Sequence, residues 1–181
     1  MFSKKIASLW LFLSMTSYSY PSTAEMAISF NPRDDYQFGV GSTIGGAYGV
    51  VGVSGYLNWS SLVNIEVGAG TGLYFDAYQA HVRYLILDHP LTPAAGLGLA
   101  YWDLSVPPQK AAQKSSNAVD LGLVKADGSE SKGGIGLLPF SIGLNYISDL
   151  GLSLNVDFQF MVSMANFHGI PYGGLSFQWY F

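Results

Sequence analysis

From Tyr36 onward, apolar side chains return at every second position, segment after segment. The clearest case is Leu152, Leu154, Val156, Phe158, Phe160 and Val162, which alternate with Ser153, Asn155, Asp157, Gln159 and Met161. A period of two is the signature of a strand, whose successive side chains point to opposite faces. The stretch Gly174–Phe181 behaves the same way: Leu175, Phe177, Trp179 and Phe181 share one face, and Gly174, Ser176, Gln178 and Tyr180 the other. An apolar strand left at a free sheet edge invites aggregation, so this one is expected to close a sheet rather than border it.

The same pattern predicts six more strands. Tyr36, Phe38, Val40 and Ile44 oppose Gln37, Gly39, Gly41 and Thr43, and Gly45-Gly46 makes a tight turn. A second strand runs from about Tyr48 to Asn58, with Val51, Val53, Gly55 and Leu57 on its apolar side. A third sets Val63, Ile65, Val67, Ala69 and Thr71 against Asn64, Glu66, Gly68 and Gly70. A fourth sets Tyr78, Ala80, Val82, Tyr84 and Ile86 against Gln79, His81, Arg83 and Leu85. Asp88-His89-Pro90 and Pro93 mark a turn, and a fifth strand opposes Ala95, Leu97, Leu99 and Tyr101 to Gly96, Gly98, Ala100 and Trp102. The sixth, near 134–147, shows Leu138, Phe140, Ile142, Leu144 and Tyr146 on its apolar side, with Pro139 expected near the start of its pairing. Residues 165–171 form the last loop. A polar insert at 106–133 carries four of the eight basic residues, Lys110, Lys114, Lys125 and Lys132, and reads as a solvated loop.

Eight strands of about ten residues match the length that crosses a bilayer at a tilt. Which face meets lipid follows from composition. The non-apolar faces are mostly Gly, Ser, Asn and Gln with isolated Glu66, His81, Arg83 and Asp157, and they lack the abundant charges of a water-facing sheet. Only 11% of the chain is charged while 49% is hydrophobic, yet no segment approaches a membrane-spanning helix. Small residues suit the interior of a narrow barrel that side chains must just fill. The expected fold is therefore all-β: an eight-stranded antiparallel up-and-down transmembrane β-barrel, apolar outside and polar inside. Trp59, Tyr101, Trp102, Tyr172 and Trp179 near strand ends suit its interface girdles.

Residues 1–24 read as a cleaved signal peptide: Lys4 and Lys5, an apolar run over 6–15, and the small residues Ser22-Thr23-Ala24. Residues 25–35 read as a tail, within which 27–30 can extend the first strand, and 36–181 as the barrel. Removing the first 24 residues takes the net charge from −4 to −6, so no basic field is available for nucleic acid. The absence of Cys excludes disulfides, a thiol nucleophile and thiolate metal sites.

With the terminal aromatic strand ending at Phe181, Gly55-Tyr56 followed by Ile65-Glu66-Val67-Gly68, and Gly96-Leu97-Gly98 closing into Ala100-Tyr101, the chain over 36–181 resembles the small OmpA- and OmpX-like outer-membrane barrels of Gram-negative bacteria. The resemblance implies an outer-membrane location and contact with its lipid and lipopolysaccharide. It also implies assembly by the barrel-insertion machinery through an aromatic signal, here Phe177, Trp179 and Phe181, and a monomer. Members of the family include anchors, adhesins, narrow channels and lipid A-modifying enzymes; nothing like a peptidoglycan-binding domain is expected here.

The interior faces hold the candidate chemistry. A hairpin turning at Tyr74-Phe75 puts Glu66 directly opposite Arg83, as a structural ion pair or a pore gate. His81 shares that face as a pH-sensitive neighbour, and Asp157 and Gln159 extend the polar network. The His-x-Ser-Asn stretch of the lipid A deacylases is missing, since Ile170 stands where Ser is needed after His168. His168 could be served by a Ser from another loop, as in almost any chain, and His89 reads as a solvated turn residue. His81, His89 and His168 show no metal spacing. The expected role is structural or surface-interacting and non-catalytic, with no metal or cofactor. The alternatives are a narrow channel for small or apolar solutes and, behind it, a lipid A-modifying hydrolase.

Overall fold

The computed structural model describes residues 31–128 and 133–181. The alternating segments become β1 (Phe38–Gly45), β2 (Val51–Ser60), β3 (Val63–Thr71), β4 (Phe75–Leu85), β5 (Leu91–Leu104), β6 (Gly134–Ile147), β7 (Leu152–Ser163) and β8 (Gly169–Tyr180). Each pairs antiparallel with the next, and β8 returns to β1, with Val40 opposite Trp179 and Ser42 opposite Phe177. The terminal strand thus closes a barrel, and no edge is left free. Expected signal residues 1–24, and the proposed extension at 27–30, lie outside the described residues.

The outward faces are the apolar ones. Phe38, Val53, Val67, Ile142, Phe158 and Trp179 are all exposed, while Thr43, Glu66, Gln79, Arg83, Asn155 and Asp157 are buried inside. Among the girdle candidates, Trp59, Tyr101 and Trp179 stand on the outside. Trp102 and Tyr172 do not: Trp102 is 1% exposed and meets Tyr172 edge-on inside the barrel, at 5.9 Å between ring centroids. The alternation itself forces this, because Trp102 follows outward Tyr101.

Four connections gather at one end, here the upper: 46–50, 72–74, 105–133 and 164–168. Turns at 61–62, 86–90 and 148–151 lie at the lower end, none of them approaching the length of the 105–133 connection. Several boundaries differ from those read off the sequence. Pro93 and Pro171 lie within β5 and β8 rather than in turns. Pro139 sits well inside β6, and the β5–β6 pairing there skips from Leu97–Phe140 to Ala100–Leu137. Proline has no N–H to give that ladder, so a local gap accommodates it.

Two segments, one read as a tail and the other as a solvated loop, close the barrel instead. At the lower end, residues of the tail form α1 (Pro32–Asp35), started by the Asn31 side chain accepting from the Arg33 N–H. At the upper end, the insert folds into α2 (Pro108–Lys114) and α3 (Ser116–Asp120). Its Ala111, Ala118, Leu121, Leu123 and Val124 are buried with Phe75, Trp102, Leu137, Met161 and Ile170. The polar composition of the insert hid a short apolar series, Leu121, Leu123 and Val124, which fills the upper lumen.

Candidate functional site

At the centre of the lumen lies one arginine between two carboxylates. Arg83 of β4 meets Glu66 of β3 at 2.6 Å through Nη1 and Asp157 of β7 at 2.9 Å through Nη2. The Glu66–Arg83 pair forms in a different register from the one expected. The hairpin turns at 72–74, so His81 stands opposite Glu66 and Asn64 opposite Arg83. The long guanidinium spans that two-residue diagonal, a reach open to long side chains across a ladder. All three ions are nearly inaccessible. Ions in such a place persist only when paired and hydrogen-bonded.

The hydrogen bonds come from tyrosines. Tyr48 and Tyr56 both donate to Glu66 Oε1, at 2.9 and 3.2 Å, and Ser54 donates to the Tyr56 hydroxyl at 2.7 Å. Tyr48 belongs to no strand. It sits on a 3-10 turn (Gly46–Tyr48) that dips into the barrel mouth, with Gly45 and Gly49 at φ +79° and +88° on either side. Those left-handed conformations favour glycine, and they turn the chain inward and out again. Gly52 and Gly70 make room, since a Cβ at either would come within 2.7 Å of Tyr48 side-chain atoms. Burial, then the Glu66 charge, pushes the Tyr48 hydroxyl well above the ordinary phenol range, so it remains a donor.

The other sequence candidates flank this centre. The His81 ring approaches Ser141 Oγ through Nε2 at 3.2 Å. Only glycines fit beside it on β5: a Cβ on Gly98, directly opposite, would come 2.8 Å from its Cδ2, and one on Gly96 would come 2.5 Å from its Cε1. Gln159 lies above the ions and holds the inward turn, its Oε1 accepting from the Ala47 N–H at 2.9 Å. The Ala47 carbonyl in turn accepts from Trp102 Nε1 at 2.7 Å, and Trp102 stacks on Phe75 at 3.8 Å. Hence the same turn links the ionic layer to the apolar layer above it. Phe177, Trp179 and Phe181 all stand exposed on the outer face.

Below the ions, Asn64 donates to Asn58 at 2.9 Å and to the Tyr180 hydroxyl at 3.0 Å, and Asn145 donates to Asn155 at 2.6 Å. Arg33 from α1 then closes the lower mouth. It donates to the His89 and Pro90 carbonyls, at 2.8 and 3.1 Å, and to Asn145 Oδ1, while Asn31 donates to Asp88. Burial draws the Arg33 guanidinium below its ordinary value, and Tyr180, Asp88 and Asp34 oppose the shift; an arginine stays cationic through such a change. Sequence reasoning missed both Tyr48 and Arg33. The glycine bracket around Tyr48 was a readable signal, whereas a lone arginine in a polar tail was not.

Chemically, the arrangement holds charge in place. His168 lies on the exposed loop 164–168, where its N–H donates to Asn166 Oδ1. Among the described residues no group of three or more His, Cys, Asp or Glu side chains is placed to hold a metal.

A closed eight-stranded barrel, apolar outside and polar inside, has the architecture of the small outer-membrane β-barrels. No family model matches this sequence, and no curated protein matches it in sequence. The solved structures do give matches. The chain is similar to the N-terminal β-barrel domain of Pseudomonas aeruginosa OprF, with a TM-score of 0.54 and 12% identity over 80% of this chain and 99% of that one. A second match is Ail, the attachment invasion locus protein of Yersinia pestis, with a TM-score of 0.35 and 10% identity over 80% of this chain and 96% of that one.

Proposed function

We propose that the chain is a monomeric outer-membrane β-barrel whose role is structural or surface-interacting and non-catalytic. The observation that carries this reading is a lumen filled along its length: Arg33 at the lower mouth, the Glu66–Arg83–Asp157 cluster at the centre, and the insert's apolar side chains at the top. A barrel filled in this way offers its surfaces to partners rather than a path through itself. The exposed apolar belt supports placement in lipid. The long 105–133 connection supports an outward-facing upper end and a periplasmic lower end. On this reading the outer wall contacts membrane lipid and lipopolysaccharide, and Phe177, Trp179 and Phe181 form the strand read by the insertion machinery.

The test is membrane fractionation with a heat-modifiability gel, followed by planar-bilayer recording. The expected result is an outer-membrane protein that shifts in mobility on boiling and gives no conductance steps. A soluble periplasmic protein without a shift overturns the membrane assignment, and stable conductance overturns the filled lumen. Lipid A mass is expected to stay unchanged on expression.

A second reading, a narrow gated channel, draws on buried polar atoms near the ions. Both amide atoms of Gln79, Nδ1 of His81 and Nε2 of Gln178 have no hydrogen-bond partner among the described residues, so a hydrated path beside the ion pair is compatible with the lumen. Conductance that appears in Glu66→Gln or Arg83→Gln, and not in the parent, supports the gate; conductance unaltered by both substitutions rejects it.

A further inference from the structure

One side of the upper mouth is open. A cavity of about 280 Å³ lies between the β1–β2 and β3–β4 connections, the start of α3 and β8. Four segments far apart in sequence converge on it.

Its floor is preformed. A Cβ at Gly49 would sit 2.8 Å from Gly72 Cα, and one at Gly72 would sit 2.5 Å from the Phe75 ring, so the two hairpin tips close on each other as only glycines can. Behind them stands the Phe75–Trp102 stack, with Tyr172 against Trp102 edge-on. Tyr74 is half-buried in the same wall.

The rim supplies neutral polar groups. Asn117 Nδ2 donates to the Tyr172 hydroxyl at 3.0 Å. That bond leaves Asn117 Oδ1 as an acceptor and the Tyr172 O–H as a donor, beside the exposed Ser116 hydroxyl. Among the described residues no Asp, Glu, Lys, Arg or His lines the cavity.

These features constrain the occupant. The volume lies just below the ~300–1,000 Å³ of pockets for drug-sized ligands, so it takes a group of one ring. A charged group would be desolvated with no counter-ion. A wholly apolar group would leave the Asn117 carbonyl and the Tyr172 hydroxyl without partners. A ring with an apolar face and hydroxyls along its edge satisfies both walls. We propose that this cavity binds a single neutral sugar ring, free or at the end of a glycan. The contact with a surface glycan rests on the outward-facing upper end proposed above; the binding itself does not.

Saturation-transfer NMR on the purified barrel in a detergent without sugar headgroups tests it directly. The ligands are methyl α-glucopyranoside, methyl β-galactopyranoside and methyl N-acetyl-β-glucosaminide, with p-cresol and phenyl phosphate as the apolar and charged comparators. At least one neutral sugar is expected to saturate, and Tyr74→Ala and Asn117→Ala are each expected to weaken its affinity about five- to tenfold, the size of one lost hydrogen bond or stacking contact. Retained heat-modifiability shows that the variants fold; should either fail, Ser116→Ala and Ser116→Trp take its place, the latter by filling the cavity from its exposed rim. Core oligosaccharide released from lipopolysaccharide that binds more tightly than the monosaccharides assigns a glycan end, and equal affinity assigns a free sugar. Inert sugars, p-cresol binding alone, or a sugar signal unchanged in every folded variant overturns the proposal. Sugar binding by a barrel that fractionates as soluble would sink the membrane assignment and leave this site standing.

Discussion

The ionic centre of the lumen and the apolar layer above it are both buried, yet opposite forces hold them. Around Arg83, burial is tolerated because each charge finds another: Glu66, Asp157 and the Tyr48 and Tyr56 hydroxyls. Around Trp102, Phe75, Leu121, Leu123, Leu137 and Met161 pack as an ordinary apolar core. The three ions sit on strands, in places that follow from alternation and register. The apolar layer depends on an insert that leaves the barrel and comes back over its mouth. The first region is costly to disturb by single changes in charge. The second is expected to loosen locally while the barrel persists.

Removing the central cation should have the largest effect. Arg83→Ala strands two buried carboxylates and is expected to destabilise the folded barrel by about 3–5 kcal/mol in reversible urea unfolding from liposomes. Adding Glu66→Gln and Asp157→Asn to that variant should recover a substantial part of the loss. No recovery would mean that packing, not charge pairing, sets the cost. Leu121→Ala, in the apolar layer, is expected to cost about 2 kcal/mol, the low end for a buried leucine because an insert can settle into the gap. Its signature should be faster proteolysis within 106–133 with the barrel's own unfolding midpoint little moved. A matching drop in that midpoint would show that the two layers unfold as one.

The lower closure offers an intermediate case. Arg33→Met keeps the length of the side chain but loses its donors to the His89 and Pro90 carbonyls and to Asn145. It is expected to cost about 1.5–2 kcal/mol, read as faster exchange of amides in the 86–90 turn. The smallest effect belongs to Ser163→Ala. That change removes the 2.7 Å hydrogen bond from Ser163 to the Leu121 carbonyl that ties the insert to β7, along with the 3.2 Å one that Ser163 accepts from the Ala165 N–H, and about 1 kcal/mol should appear as increased proteolysis of the insert. An effect as large as that of Leu121→Ala would show that the tie, rather than apolar packing, holds the insert down.

Much of this was legible beforehand, for a reason visible in particular residues. Ser153, Asn155 and Asp157 had to face inward once Leu152, Leu154 and Val156 faced outward, because strand geometry leaves no other choice. Register was less legible. The Tyr74-Phe75 turn implied by pairing Glu66 directly with Arg83 is displaced in the fold, where Glu66 meets His81, since a side chain as long as arginine also bridges on the diagonal. Tyr48 was read as the start of the second strand, but it sits on a 3-10 turn between Gly45 and Gly49, whose positive φ angles turn the chain inward. Trp102 near a strand end resembled a girdle residue until its face was considered.

By itself, the sequence determined that strands alternate, how many there are, which side of each is apolar and which charges share the interior. All of that follows from local periodicity, which needs no knowledge of distant neighbours. What only the tertiary structure decided is how the barrel is stopped: Tyr48 dipping to Glu66, Arg33 reaching two carbonyls at the far end, and Leu121–Val124 filling the mouth. Those contacts join residues separated by long stretches of chain, and their partners are mostly backbone groups or small apolar side chains, which carry no pattern of their own.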